Sequence, residues 1–302
     1  APLVLGGNVF GWTADEATSF AILDRFAEAG FNALDTADVY STWVPGHKGG
    51  ESETIIGKWM KSRGNRHRMV IITKVGSDMG AGRKGLGAKY IEQAADASLR
   101  RLGVDVIDVY LSHWPDPETS YEETLGAFQQ LRKKGKVRAV GASNLDAGQM
   151  RTALDVSRTH DLPRYDVLQP EYNLHDRSGF EGALRDLCVA EGIGVITYFA
   201  LAKGFLTGKY RTPADLGQSP RGEDITDYLT PRGMRLLEVL DDVARRNNAK
   251  PAEVALAWVM AQPGITAPIS SATSVEQVQS LIRAASLDLP AADLALLDQT
   301  GP

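Results

Sequence analysis

MVIITKV, residues 69–75, is a short and nearly continuous apolar run rich in β-branched residues, and it ends at Lys74 and Val75. A run of that length and composition reads as a strand covered on both faces, as in a parallel sheet. Working outward, SETIIGKWMKSR (52–63) before it and YIEQAADASLRRLG (90–103) after it have helical periodicity, the second with a glycine stop. The next strand is VIDVYLSH (106–113), then the helix YEETLGAFQQLRKKG (121–135) and the strand VRAVGASN (137–144). The alternation extends in both directions. LVLGG (3–7), DEATSFAILDRFAEAG (15–30) and NALDTA (32–37) precede it as strand, helix and strand. AGQMRTALDVSRT (147–159), YDVLQPEYN (165–173), GFEGALRDLCVAEG (179–192) and GVITYFAL (194–201) follow. PRGMRLLEVLDDVARRN (231–247) is helix, PAEVALAWVMAQ (251–262) an extra helix with proline at its first position, ITAPISS (265–271) the last strand and VEQVQSLIRAA (275–285) the last helix.

Eight strand–helix units in 302 residues predict a (β/α)8 TIM barrel in the α/β class, as one domain over 1–302. A doubly wound open sheet competes, but it would carry a G-x-G-x-x-G fingerprint after an early strand, and none is present there. The longest polar gap, RTPADLGQSPRGEDITDY (211–228), is expected to be a lid or binding loop.

The totals narrow the function. Net charge is −5 with both signs mixed along the chain, which argues against nucleic acid and a membrane surface as partners. Apolar runs fall far short of the roughly 20 residues that span a bilayer. No secretory pattern is visible at the start, and the single cysteine, Cys188, cannot form an internal disulfide, so a reducing, cytoplasmic location is expected. The five histidines include no pair at metal-ligand spacing, so no metal is expected and a metal-dependent hydrolase is disfavoured. The sequence sets no oligomeric state.

In a (β/α)8 barrel the working groups sit at the carboxyl ends of the strands. There the chain places Asp35 with Tyr40 beyond it, Lys74, His113 with Trp114, Ser143 with Asn144, Gln169, and Tyr198. A phenol is a poor acid at neutral pH. An ammonium beside it stabilises the phenolate, and a carboxylate holds the ammonium in place. Tyrosine can then protonate a carbonyl oxygen, with histidine as a second donor. Each residue alone has a plainer reading: a buried ion pair for Asp35 and Lys74, a satisfied core residue for His113, a packing role for Tyr40, a turn for GASN. Four such residues on three successive strand ends say more than any one.

LDTADVY (34–40), IITKV (71–75), DVYLSHWPD (108–116), VGASN (140–144), LQPEYN (168–173) and VITYFALAKGFLTGKY (195–210), in this order, resemble the aldo-keto reductases along nearly the whole chain. The resemblance implies NAD(P)H-dependent reduction of a small carbonyl compound to an alcohol, reversible as an alcohol dehydrogenase. It implies Tyr40 as general acid, Asp35 and Lys74 tuning it, and His113 orienting the carbonyl. It also implies Ser143, Asn144 and Gln169 at the nicotinamide carboxamide, Tyr198 stacked on the ring, Phe199 and Leu201 beside it, and Lys209 and Arg221 as phosphate contacts. Ser271, Thr273 and Gln277 are expected at the adenosine end.

The departures are local. Phe199 and Ala200 stand where the family often has Ser-Pro. In SSATSVEQVQSL (270–281), Ser271 replaces a glycine, Thr273 takes an Arg/Ser position, Gln277 is kept and Leu281 replaces an asparagine. NADPH is the expected cofactor, with NADH possible, because no arginine stands at 273 to pair with a 2′-phosphate. The loop STWVPGHKGGESE (41–53) is longer than the common form, and its Trp43 is expected to join Trp114 as a wall of the substrate pocket. The alternative function is a cofactor-binding regulatory subunit with slow turnover, like the channel-associated members of the same superfamily.

Overall fold

The computed structural model describes residues 2–220 and 222–300. Eight parallel strands pair in chain order and close into a barrel. They are β1 (Val4–Gly6), β2 (Ala33–Asp35), β3 (Val70–Val75), β4 (Ile107–Ser112), β5 (Val137–Ser143), β6 (Val167–Gln169), β7 (Gly194–Thr197) and β8 (Ala267–Ser270). Around them lie α1 (Glu16–Glu28), α2 (Glu51–Arg63), α3 (Ala88–Leu102), α4 (Tyr121–Lys133), α5 (Ala147–Thr159), α6 (Ala183–Glu191), α7 (Pro231–Arg246), α8 (Pro251–Ala261), α9 (Val275–Ala284) and α10 (Ala291–Thr300). The fold expected from the alternation is the fold observed. None of the helices among the described residues is long and apolar enough to cross a membrane.

Local chemistry marks the helix ends. Asp15, Ser120 and Ser274 each accept a backbone N–H of the first turn, and Asp146 forms a full capping box with Gln149. Gly103 closes α3 at φ 63°, a conformation that a side chain would strain. The sequence reading stopped at α9 and missed α10. The apolar residues of AADLALLDQT do not gather on one stripe, so periodicity is weak there. Tertiary bonds hold this helix instead: Arg246 and Asn247 donate to the buried Asp293 (2.5 and 2.7 Å), and Trp258 Nε1 donates to Asp298 (2.8 Å).

The strand alternation produces two separate cores. The larger lies between strands and helices and includes Trp59, Tyr110, Phe128 and Trp258. The smaller fills the barrel: Val4, Ile72, Leu111, Ile196, Ala267 and Ile269, with Ala33, Val70, Val109, Val167 and Tyr198 packed against them. Two residues beyond these inward positions, at the carboxyl end, come Asp35, Lys74, His113, Gln169, Tyr198 and Ser271. Period two therefore delivers the polar rim directly above the apolar plug.

The polar stretch 211–228 is not an open loop. It winds into two 3-10 segments, Pro213–Gln218 and Gly222–Tyr228, and packs inward through Ile225 and Tyr228. Tyr228 stacks on Phe205 at 5.2 Å and donates to Asp176 at 2.8 Å.

Gly141 faces Val167 across the β5–β6 ladder. A Cβ there would lie 2.3 Å from the Val167 carbonyl oxygen and 2.6 Å from Leu111 Cδ2, and backbone cannot yield cheaply. Gly141→Ala is expected to destabilise the fold by about 2 kcal/mol, on the scale of overpacking a full core, measured by urea unfolding.

Candidate active site

Lys74 enters the barrel from β3 with no solvent exposure. Its three ammonium hydrogens meet three acceptors: Asp35 Oδ2 (2.7 Å), the Thr36 carbonyl (2.7 Å) and Tyr40 Oη (3.0 Å). Tyr40 Oη also donates to Asp35 Oδ2 at 3.3 Å. Burial pushes the Lys74 amine down from the ordinary lysine range, and the Asp35 carboxylate opposes that. Asp35, Tyr40 and Lys74 thus form one hydrogen-bonded cluster, reached from two strands and the turn after β2.

His113 lies beside it, its ring centroid 6.1 Å from that of Tyr40. Burial, then the charge of Lys74, holds the imidazole well below the ordinary histidine range, so the ring is neutral near pH 7. Ser77 Oγ sits 2.9 Å from His113 Nδ1. If the serine donates, the ring proton is on Nε2 and free to donate in turn. Ser77 was not foreseen from the sequence; VGS is too common a turn to single out.

The residues expected at the nicotinamide carboxamide converge as well, and they join the cluster. Gln169 Nε2 donates to Asp35 Oδ1 (2.8 Å), and Ser143 Oγ donates to the Gln169 carbonyl (2.7 Å). Asn144 Nδ2 donates to the His113 carbonyl (2.9 Å) and Ser143 Oγ (3.1 Å), while Tyr198 Oη donates to Asn144 Oδ1 (2.7 Å). A continuous network therefore runs from Tyr198 on β7's end to Lys74 on β3. Asn144 adopts φ 63°, a left-handed conformation that asparagine tolerates better than most residues.

Beyond β7 the chain is strained: Phe199, Ala202 and Lys203 all have positive φ. Strain of this kind persists where the surroundings over-determine it and clusters at ligand sites. Phe199 is partly exposed and meets Tyr198 edge-on at 5.0 Å. Lys203 Nζ lies 5.5 Å from the Phe199 ring centroid, and Leu201 is half-buried at the start of the 3-10 turn Ala202–Thr207. Lys209 is exposed, its ammonium 4.9 Å from the Tyr210 ring. Lys203 was not foreseen. Arg221 lies outside the described residues.

On the neighbouring strand end, past β8, the Thr273 amide and hydroxyl meet Gln277 Oε1 at 2.8 and 3.2 Å, and Ser274 caps α9 through Gln277 N at 3.3 Å. Ser271 Oγ bonds Asn8 Oδ1. Gly6 leaves that space open, since a Cβ there would lie 2.6 Å from Ser271 Oγ. Amide and hydroxyl groups beside a half-buried tyrosine, followed round the rim by a left-handed turn and the hydroxyls of 271–274, form a donor set that suits a nicotinamide dinucleotide. Among the described residues no cluster of three potential metal ligands occurs.

Aromatic side chains surround the mouth. Trp43 stands 46% exposed, 6.1 Å from the Tyr40 ring and 5.5 Å from Trp12, which it meets edge-on. Trp114, 49% exposed, stacks on His113 at 5.9 Å with planes 11° apart. Trp12 was missed in the sequence because nothing marks the β1–α1 turn as part of the rim. Ser41 binds the two tryptophan loops together: it is buried, holds φ 75° and donates to the Phe10 carbonyl at 3.0 Å.

Comparison with known proteins agrees with this geometry. The model of the aldo/keto reductase family matches residues 2–301. The chain is 32% identical to "Protein tas" of Escherichia coli over 316 residues, covering 95% of this chain and 90% of that one. It is 34% identical to the "Putative voltage-gated potassium channel subunit beta" of Schizosaccharomyces pombe over 269 residues, covering 85% and 76%. It is 30% identical to an "Aldo-keto reductase yakc" of the same yeast, whose name carries NADP(+), over 281 residues, covering 90% and 78%. By fold, by rim geometry and by a match over nearly its full length, the chain belongs to the aldo/keto reductase family.

Proposed function

We propose that the chain reduces an aldehyde or ketone to the alcohol with NADPH, and that Tyr40 is the general acid. The carrying observation is the 3.0 Å contact of Tyr40 Oη with a buried, fully coordinated Lys74. The nicotinamide, when bound, supplies a hydride to the carbonyl carbon. Tyr40 delivers the proton to the carbonyl oxygen, and Lys74 stabilises the phenolate oxygen left behind. Asp35 keeps the ammonium in place. The neutral His113 donates to the same carbonyl oxygen and orients it. Run in reverse, the phenolate takes the proton from an alcohol.

Ser143, Asn144 and Gln169 would hold the carboxamide, Tyr198 the ring, Phe199 and Leu201 its flank, and Lys209 the phosphates. NADPH is favoured by the relative whose name carries NADP(+) and by the hydroxyls of Thr273 and Ser274. Trp12, Trp43 and Trp114 make the mouth aromatic, which suits bulky aromatic carbonyl compounds over small hydroxylated sugars. The relative named as a potassium channel subunit keeps a second reading in view, a cofactor-binding regulatory subunit with slow turnover. Steady-state cofactor oxidation against a panel of carbonyl compounds separates the two readings: a kcat of about 1 s⁻¹ or more on any of them favours the enzyme, and uniformly far slower turnover favours the subunit.

Tyr40→Phe is expected to lower kcat by about 10²–10⁴-fold while leaving NADPH affinity near normal, because only the proton donor is lost. Lys74→Met should be as damaging, and the double mutant little worse, since groups acting as one unit are strongly non-additive. Additive losses in the cycle would rule out a shared role. By direct titration NADPH should bind about tenfold to a hundredfold tighter than NADH, the scale of one or two hydrogen bonds to a charged group. Equal affinities would remove the role of Thr273 and Ser274. Trp43→Ala should lower kcat/KM for a bulky aromatic aldehyde by about tenfold, within the range for losing aromatic contact, and leave a short aliphatic aldehyde nearly unchanged. Equal effects on both substrates would make Trp43 a surface residue only.

A further inference from the structure

Behind the rim, between β3 and helices α2 and α3, lies a buried charge cluster with an excess of acid. Glu53 is fully buried, accepts from Thr73 Oγ1 (2.6 Å) and pairs with Arg101 Nε (2.6 Å). Lys74 pairs with Asp35 (2.7 Å). Asp38 has no such partner. It is 1% exposed, and neither of its carboxylate oxygens makes a well-formed hydrogen bond among the described residues. Its backbone N–H reaches the Lys74 carbonyl at 3.4 Å, so it is attached to the lysine strand itself. Three buried carboxylates thus face two cations, and the acid without a partner is the one that must keep a proton or bear an uncompensated charge.

We propose that Asp38 is a positioning residue for the Tyr40–Lys74 couple: while it carries its proton, it leaves the lysine charge to Asp35 and Tyr40, and when it ionises it competes for that charge and weakens Tyr40 as an acid. The inference rests on the proposed role of Tyr40. Burial, then repulsion from Glu53, pushes the Asp38 carboxyl up to about 7, against the weaker pulls of Arg101, the Val39 amide and Lys74. The same coupling is felt at Lys74, where Asp38 and Glu53 both favour the charged amine behind the larger effects of burial and Asp35. The other titratable groups facing it are phenols: Tyr90 of α3, pushed up to about 12 mainly by burial, and Tyr110 of β4, pushed well above the ordinary range. Both stay neutral near pH 7. The Tyr110 hydroxyl is itself buried and has no hydrogen-bond partner among the described residues. His113, on the other side of the lysine, is held neutral by burial and by Lys74, so the proton on Asp38 is the one that changes the field at the lysine near pH 7.

The sign is definite. An anion added near Lys74 draws part of the ammonium's stabilisation away from the phenolate oxygen, so Tyr40 gives up its proton less readily. Reduction should therefore fall by a partial step, roughly three- to tenfold for charges coupled without direct contact, as pH rises through about 7. Asp38→Asn keeps the shape, removes the charge and should abolish that step.

Two measurements do not depend on turnover. A carboxyl whose folded value lies above its ordinary value of 3.8 favours the folded chain below that value, and this contribution is lost as pH rises to about 7. The Tm of Asp38→Asn relative to wild type should therefore climb between about pH 4 and 7 and then level off. A constant difference means that Asp38 ionises normally and overturns the proposal. Phenolate absorbance, read as the difference between each protein and its Tyr40→Phe counterpart, reports Tyr40 directly. Its midpoint should be lower in Asp38→Asn than in wild type; equal midpoints overturn the proposal. If Asp38→Asn folds poorly, Asp38→Ser removes the same charge. A protein that reduces no carbonyl compound yet shows the phenolate shift would sink the functional reading and support the coupling.

Discussion

A lysine without solvent exposure sits at the centre of this barrel, and its neighbours are arranged around the cost of keeping it charged. An uncompensated buried charge costs about 3–5 kcal/mol when its partner is removed. Lys74 avoids this by giving each ammonium hydrogen an acceptor, and only one of the three is a carboxylate. That limits the substitutions the site can accept. Asp35 cannot move without freeing both Lys74 and Gln169, and Tyr40 cannot leave without exposing a donor.

The barrel meets that demand through the strand period alone. Alternate residues of seven strands point inward, apolar in the middle and polar at the carboxyl end, so the network from Tyr198 to Lys74 needs no special backbone within the strands. Backbone strain begins where the strands stop. Ser41, Asn144, Phe199, Ala202 and Lys203, all non-glycine residues with positive φ, lie just past strands β2, β5 and β7. Asn144 and Phe199 turn the chain within two residues of a strand end, and Ser41, Ala202 and Lys203 turn it again in the segments that follow. The strands supply position, and the strained turns supply direction.

Much of this was legible in the sequence because period two is local. Reading IITKV and VYLSH as inward–outward strands is enough to put Lys74 and His113 on one rim. Asp35, Ser143 and Gln169 follow from the same rule. What stayed hidden depends on contacts between segments distant in sequence. Trp12 meets Trp43 through a loop pairing held by Ser41, and Ser77 meets His113 across two strand ends. The helix α10 lacks a periodic stripe and is held by side-chain bonds to α7 and α8. The loop 211–228 reads as polar, yet one tyrosine and one isoleucine anchor it. Asp38 was in plain view inside LDTADVY, but only burial distinguishes it from a solvated turn residue.

The two layers around Tyr40 are therefore of different kinds. Inside, Asp35, Lys74, Tyr40, Gln169, Ser143 and Asn144 are linked by hydrogen bonds, so a change at one residue reaches the others. Outside, Trp43 and Trp114 touch the cluster by ring contact and are about half exposed, and Trp12 packs edge-on against Trp43. Ring contacts lack the directionality of hydrogen bonds, so the outer layer can change shape without disturbing the charge balance beneath it. The long loop 41–49 exploits this freedom. It brings a tryptophan to within 6.1 Å of the Tyr40 ring, while Ser41 ties the loop's start to the Phe10 carbonyl and its own turn bonds hold the rest. A site built this way can alter what it admits by altering its loops, and the inner network has to be preserved as a unit.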